Sequence, residues 1–164
     1  MFQKDKIILG FDPGFADTGW GVLSKNGNIL KFIDTGSIQT SKKIDFTDRL
    51  QIIYKEASKL IKKYKPDSIA VEKLFFAKNV KTALDVGQAR GVLLLAIIES
   101  KTELLEFTPL QIKQAVCANG HAHKRQVGLM VKTILKLKTV PQPDDAADAL
   151  AVAITASFFN KKLS

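Results

Sequence analysis

The apolar run Lys6–Phe11 (KIILGF) ends abruptly at Asp12-Pro13-Gly14. A short run of this kind reads as a buried strand, and proline, which lacks the N–H a ladder needs, ends it. The strand therefore finishes on the carboxylate of Asp12, and whatever else the chain builds must pack around that strand. Further strands are predicted over Gly19–Ser24 and Asn28–Ile38, joined by the turn Lys25-Asn26-Gly27-Asn28, which gives an antiparallel three-stranded start.

Beyond Phe46, apolar residues fall at Leu50, Ile53, Ala57, Leu60, Ile61 and Tyr64, with Lys55, Lys59, Lys62 and Lys63 mostly opposite. That period predicts a surface helix, ended by Pro66-Asp67. Ser68–Glu72 (SIAVE) is then a short buried strand, reached by a helical crossover and hence parallel to the first, with Glu72 at its C-terminal end. Val80–Ser100 is helical in length but apolar nearly all round from Val92 to Ile98, with Gly87 and Gly91 four apart. Such a helix must be covered on two sides, either as a core helix under the sheet or as one shared with a second subunit. A strand over Glu103–Phe107 follows, and Thr108-Pro109 caps a helix from Leu110 to about Val116. A basic amphipathic helix is predicted over His123–Leu137, and a last helix from Asp144 to about Phe159 after Pro141-Gln142-Pro143. The order β-β-β-α-β-α-β-α-α-α predicts an α/β fold whose mixed five-stranded sheet is flanked by helices. At 164 residues the chain is read as one domain over 1–164.

Lys plus Arg number 25 against 16 Asp plus Glu, a net charge of +9, so an acidic polymer such as nucleic acid is a natural partner, although a merely solvated basic surface has the same charge. Cys117 is the sole cysteine, which precludes a disulfide within the chain and makes a reducing cytoplasm the simplest compartment. The longest apolar stretch, Val92–Ile98, falls far short of the roughly 18 residues of a membrane span, and neither a signal peptide nor an anchor is expected.

Asp12 and Glu72 end two strands expected to be parallel neighbours, so both acids project from the sheet edge where open α/β folds bind ligands. In the last helix Asp145 and Asp148 are three apart and Asp144 and Asp148 four apart, and either pair shares a helical face. Asp148 stands among Ala, Leu, Val and Ile in DAADALAVAIT, where an isolated carboxylate is costly unless paired or metal-bound. Asp144 or Asp145 can equally serve as an N-cap, and Asp12 as a turn residue. Converging carboxylates repel by about 4 kcal/mol per close pair at intermediate dielectric, a cost that divalent cations remove. Oxygen-only ligands point to Mg²⁺ or Mn²⁺ rather than zinc, since His121 and His123 lack the usual zinc companions. Two such ions about 4 Å apart can drive an in-line phosphodiester displacement, so a basic chain with an acid cluster is a candidate nuclease. Phe75, Phe76, Lys78 and Asn79 follow Glu72 as a loop of rings beside charge, able to stack on bases, with Phe76 the one taken as core. Lys113, Lys124 and Arg125 lie in or near the segment leading to the basic helix, where they can meet phosphates.

Four ordered segments, GFDPGFADTGWGVL, VEKLFFAKNVKTALDVGQARGVLLLA, FTPLQIKQAV with GHAHKRQV, and PDDAADALAVAI, together resemble the RuvC family of bacterial Holliday-junction resolvases, from about Ile7 to Ile154. The resemblance implies a ribonuclease-H-like fold, a homodimer, and Mg²⁺-dependent symmetric nicking of two strands of like polarity across a four-way DNA junction. It implies Asp12, Glu72, Asp145 and Asp148 as metal-binding acids, with two Mg²⁺ per site and Mn²⁺ able to substitute, and leaves Asp144 as the helix cap. Phe75 matches the family's stacking aromatic, Lys113 and Lys124 match basic positions near the scissile phosphate, and Thr82–Glu99 matches the dimer helix. Cooperation with the branch-migration motor of the same pathway is also implied. Cys117, Phe107 and Ala156 stand where the family often has Thr, Tyr and His, and none is an acid ligand. A two-domain sugar-kinase or actin-like phosphotransferase shares the hairpin start but needs a longer chain, and a non-catalytic junction-binding protein leaves Asp148 without a purpose.

Overall fold

The computed structural model describes residues 4–74 and 80–159. Its elements are β1 (Lys6–Asp12), β2 (Asp17–Asn26), β3 (Ile29–Gln39), α1 (Phe46–Tyr64), β4 (Ser68–Glu72), α2 (Val80–Glu99), β5 (Glu103–Phe107), α3 (Pro109–Cys117), α4 (Lys124–Ile134) and α5 (Asp144–Phe158). The predicted order holds. The sheet runs β3-β2-β1-β4-β5, with β1–β2 and β2–β3 antiparallel and β1–β4 and β4–β5 parallel, which is the mixed five-stranded sheet expected.

Some boundaries differ from expectation for local reasons. Lys25 and Asn26, read as turn residues, pair with Leu30 and Ile29, which lengthens β2 and shrinks the turn to Gly27-Asn28, with Gly27 at φ +56°. The helix expected to reach Leu137 stops at Ile134, where Lys136 turns left-handed at φ +54°. Thr108 caps α3 as predicted: its side chain accepts from the Gln111 N–H while the Gln111 side chain accepts from the Thr108 N–H.

Side chains alternate across the sheet, and the two cores follow that alternation. Leu9 and Phe11 of β1, with Ile69 and Val71 of β4, face α1 and α2 and pack with Ile53, Ala57, Leu93 and Ile97. Ile8 and Ala70 face the other way, toward Val116, Val131, Leu150 and Ile154 of α3, α4 and α5. By the same alternation Asp12 and Glu72 point to the α5 side. α2 buries Ala89, Leu93, Ala96 and Ile97 while Leu84, Leu95 and Ile98 are exposed. No helix among the described residues is long and apolar enough to cross a membrane.

α5 lies directly on the backbone of β1 and β2. A Cβ on Gly10 would stand 2.3 Å from the Ala149 carbonyl oxygen and 2.7 Å from the Ala153 nitrogen, and one on Gly19 would stand 2.0 Å from the Asp145 carbonyl oxygen. These obstacles are backbone atoms, which cannot swing aside. Ala147, Ala149, Ala151 and Ala153 make α5 correspondingly thin, and all are buried. Gly10→Ala is expected to cost about 1–3 kcal/mol by overpacking, read from the urea midpoint. A variant as stable as its parent would show that α5 can ride up on the sheet.

Candidate active site

Two strand ends and one helix start build the site. Phe11 pairs with Val71 in the parallel β1–β4 ladder, so the next residues, Asp12 and Glu72, emerge side by side on the α5 face. Asp12 ends its strand because Pro13 follows, and Glu72 remains in register with Phe107 of β5. Over this edge the close seating at Gly19 brings the first turn of α5. One carboxylate oxygen each from Asp12, Asp145 and Asp148 lie within 4.8 Å of one another. Glu72 adjoins them through a side-chain hydrogen bond with Asp12.

The spacing of the last helix left Asp144 and Asp145 open, and the geometry separates them. Asp145 joins the cluster, whereas Asp144 has a side chain 65% exposed. Asp144 is not the helix cap: Pro143 holds the N-cap position without any side-chain cap bond, and Asp144 is the first helical residue, where the dipole favours its charge. Lys124 opens α4 and aims its Nζ at the same acids, 3.0 Å from Asp148, 3.8 Å from Asp144 and 4.0 Å from Asp145. Lys113 is half-buried and, with Glu72, Pro109, Ile112, Lys124 and Asp148, lines a cavity of about 270 Å³ beside the cluster. Arg125 is exposed on α4. Phe75, Phe76 and Lys78 lie outside the described residues.

Burial and mutual repulsion disfavour ionisation of the clustered carboxyls. Burial pushes Asp12 up to about 9, reinforced by the charges of Glu72, Asp148 and Asp145 and by the hydrogen bond with Glu72. Burial also raises Glu72, while the Asp12 bond opposes the shift, the sense expected when Asp12 carries the shared proton and donates it. Asp148 is raised by burial against the pull of Lys124. Burial works to lower Lys124, and its bond to Asp148 together with the charges of Asp148, Asp145 and Asp144 overcomes that and raises it. Side-chain oxygens from rigid elements, converging where carboxyls resist ionisation, are a donor set suited to a hard divalent cation. Zinc's preferred nitrogen and sulfur donors are missing from the cluster, which contains neither His nor Cys.

Gly10 and Gly19 were not singled out in the sequence as parts of the site, and the signal was available: alternate glycines in neighbouring strands opposite an alanine-rich helix. Arg90 of α2 was also missed. It donates from Nε to the Glu72 carbonyl at 3.1 Å and pairs through Nη2 with Glu106.

The raised Asp12 carries a stability consequence. A carboxyl whose folded pKa lies above its unfolded value contributes fully below about pH 4, and that contribution is lost as pH rises toward 9. Asp12→Asn keeps a donor for Glu72 without the charge. In the absence of divalent cations it should therefore be more stable than the parent at pH 7, by about 2 kcal/mol, with the gap closing toward pH 4. Thermal melts at the two pH values check this, and an Asn variant that melts lower at pH 7 would contradict it.

The family model of the crossover junction endodeoxyribonuclease RuvC matches residues 8–156. A crossover junction endodeoxyribonuclease RuvC of Halothermothrix orenii is 55% identical over 148 residues, covering 90% of each chain, and one from Ruminiclostridium cellulolyticum is 53% identical over 148 residues, 90% of this chain and 89% of that one. Among solved structures, Thermus thermophilus RuvC in complex with Holliday junction substrate superposes with a TM-score of 0.87 at 34% identity over 93% of both chains. The yeast mitochondrial Holliday junction resolvase Ydc2, at 17% identity and a TM-score of 0.65, shares the fold alone. The sheet order, the helix laid across it and these relatives give one answer: the fold is ribonuclease-H-like, and the chain belongs to the RuvC family of crossover junction endodeoxyribonucleases.

Proposed function

We propose that this chain resolves Holliday junctions, using one ribonuclease-H-like nuclease domain over 1–164 to nick two strands of like polarity symmetrically across a four-way DNA junction. The observation that carries the reading is the meeting of Asp12, Asp145 and Asp148 within 4.8 Å, beside Lys124, in a chain of net charge +9. Asp12, Glu72, Asp145 and Asp148 would hold two Mg²⁺, for which Mn²⁺ would substitute, and the chemistry supplied there would be activation of a water and charge stabilisation in an in-line phosphodiester displacement. The chain's own residues do the rest. Rigid strand ends and the start of α5 fix the carboxylates, and loss of the Asp12 proton completes the anionic set. Lys124, now countering Asp148 at 3.0 Å, is placed to meet charge that develops on the phosphate. Lys113 and Arg125 contact flanking phosphates. Phe75 stacks at the junction, the role its family resemblance implies, and Lys78, a charge beside the rings of the same loop, binds the DNA.

A second copy of the chain supplies the second cut. Along α2, Leu84, Leu95 and Ile98 are exposed at 60%, 52% and 63%, and Cβ atoms on Gly87 and Gly91 would meet nothing within 4 Å. These residues recur on one helical face and form an apolar strip with small residues at its centre, suited to close approach of an identical helix. The proposed compartment is the cytoplasm, and the proposed protein partner is the branch-migration motor complex of the same pathway.

In cleavage of a labelled four-way junction beside a linear duplex of the same sequence, paired nicks should occur in the junction alone and vanish with chelator. Asp148→Asn should lower cleavage by roughly 10³-fold or more, about 4 kcal/mol of barrier, with junction binding retained. Metal-independent cleavage by this variant would remove the acids from the chemistry. Leu95→Glu should shift the chain from dimer to monomer in sedimentation and lose the pairing of nicks, and a dimer that persists would place the interface elsewhere.

A further inference from the structure

Glu72 is held from both faces of the sheet, and the second hold comes from α2. Its carboxylate points toward α5, among the acids. On the opposite face the strand end meets Arg90, whose Nε donates to the Glu72 carbonyl at 3.1 Å. The same guanidinium pairs with Glu106 of β5, which shares a sheet face with Leu104 of the α1–α2 core. The Arg90 side chain is 17% exposed, so its position is set by packing as well as by charge. One step farther along, the Lys73 N–H donates to the Phe107 carbonyl at 2.8 Å and extends the β4–β5 pairing past Glu72. A planar guanidinium can serve two acceptors in fixed directions at once, which an ammonium on a flexible stem cannot do.

We propose that Arg90 is a positioning residue for the cation site: by clamping the Glu72 carbonyl and Glu106 together it fixes the angle at which the Glu72 carboxylate enters the acid cluster. Outer partners of this kind tune cation affinity without touching the ion. The inference rests on the proposed use of the four acids as cation ligands. It adds that α2, which carries the exposed strip proposed to meet a second copy, also holds one ligand in place. Arg90 adjoins Gly91 of that strip, so the seating of α2 and the geometry of Glu72 share one helix.

The test is Mn²⁺ binding to the DNA-free chain, followed by electron paramagnetic resonance of the free ion, together with junction affinity in chelator. Arg90→Gln is expected to weaken Mn²⁺ binding by roughly 10- to 100-fold and leave junction affinity in chelator within about twofold. The Mn²⁺ concentration needed for half-maximal cleavage should rise in parallel. Arg90→Lys keeps a charge for Glu106 but cannot also reach the carbonyl in the same fork, so it should recover only part of the loss. If Arg90→Gln does not fold, Arg90→Lys carries the test with the same expected direction. A folded variant of either kind with parental Mn²⁺ affinity overturns the inference and leaves the proposed function standing. A parent chain that binds no Mn²⁺ at Asp12, Asp145 and Asp148 overturns both.

Discussion

The backbone contact between α5 and the β1–β2 pair sets the geometry of everything that matters chemically. Packed layers are normally held apart by side chains, about 10 Å for stacked sheets; here hydrogen replaces a side chain at Gly10 and Gly19, and alanines replace larger residues on the helix. The approach is close enough that the short carboxylates of Asp145 and Asp148 reach that of Asp12. Aspartate has a single methylene, so a helix lifted by one side-chain layer would leave the acids on opposite banks of a groove. The apolar surroundings of Asp148 follow from the same contact, because a helix pressed this deeply into the core must be apolar along most of its length. Ten consecutive residues from Ala149 to Phe158 include only two polar ones, Thr155 and Ser157, and both hydroxyls are satisfied by carbonyls of their own helix.

That seating gathers like charges at a cost the chain meets in part by itself. Lys124 reaches three aspartates within 4.0 Å, and burial beside Glu72 holds the Asp12 carboxyl well above the usual carboxylate range. Neither device is permanent: a bound cation would take over the neutralising role that the Asp12 proton and the Lys124 ammonium fill. A salt bridge more than half exposed on the lysine side contributes little to stability, so Lys124 can be released without unfolding its helix. The site is thus a place where the fold carries strain for a purpose, and stability would rise if its charges were removed.

Much of this was legible in the sequence because it depends on local rules. Proline after Asp12 and a helical crossover before Ser68 place two strand ends at one edge, and period-two alternation sends both acids to one face. The last helix was harder. Spacings of three and four residues share a helical face equally well, so spacing could not tell Asp144 from Asp145; the family resemblance chose Asp145, and the contact under Gly19 gives the physical reason, since it is Asp145 that lies against the sheet. The cap assignment of Asp144 failed because Pro143 already occupies the extended position before the first turn. The apolar character of α2 left two coverings open, and the structure divides them, with Ala89, Leu93 and Ile97 against the sheet and Leu84, Leu95 and Ile98 left bare. Arg90 was invisible for a different reason: its partner is a backbone carbonyl 18 residues away, and a carbonyl has no residue type to recognise.

The two faces of the sheet therefore divide the work, and the division has a mechanical consequence. On the α5 face, glycine and alanine set a distance; on the α2 face, a guanidinium sets an angle. Glu72 is the residue subject to both, since its side chain joins the acids while its carbonyl belongs to the α2 clamp. β1 and β4 each lie between two partner strands, but two strands, β2 and β3, lie outside β1, whereas only the short edge strand β5 lies outside β4. An acid on the less supported side needs an additional hold if four carboxylates are to share cations with fixed geometry. A small hard cation such as the proposed Mg²⁺ would make that demand sharply, because it tolerates little departure from octahedral coordination. A clamp on Glu72 from the helix that also presents the bare apolar strip ties the precision of the site to whatever seats that helix.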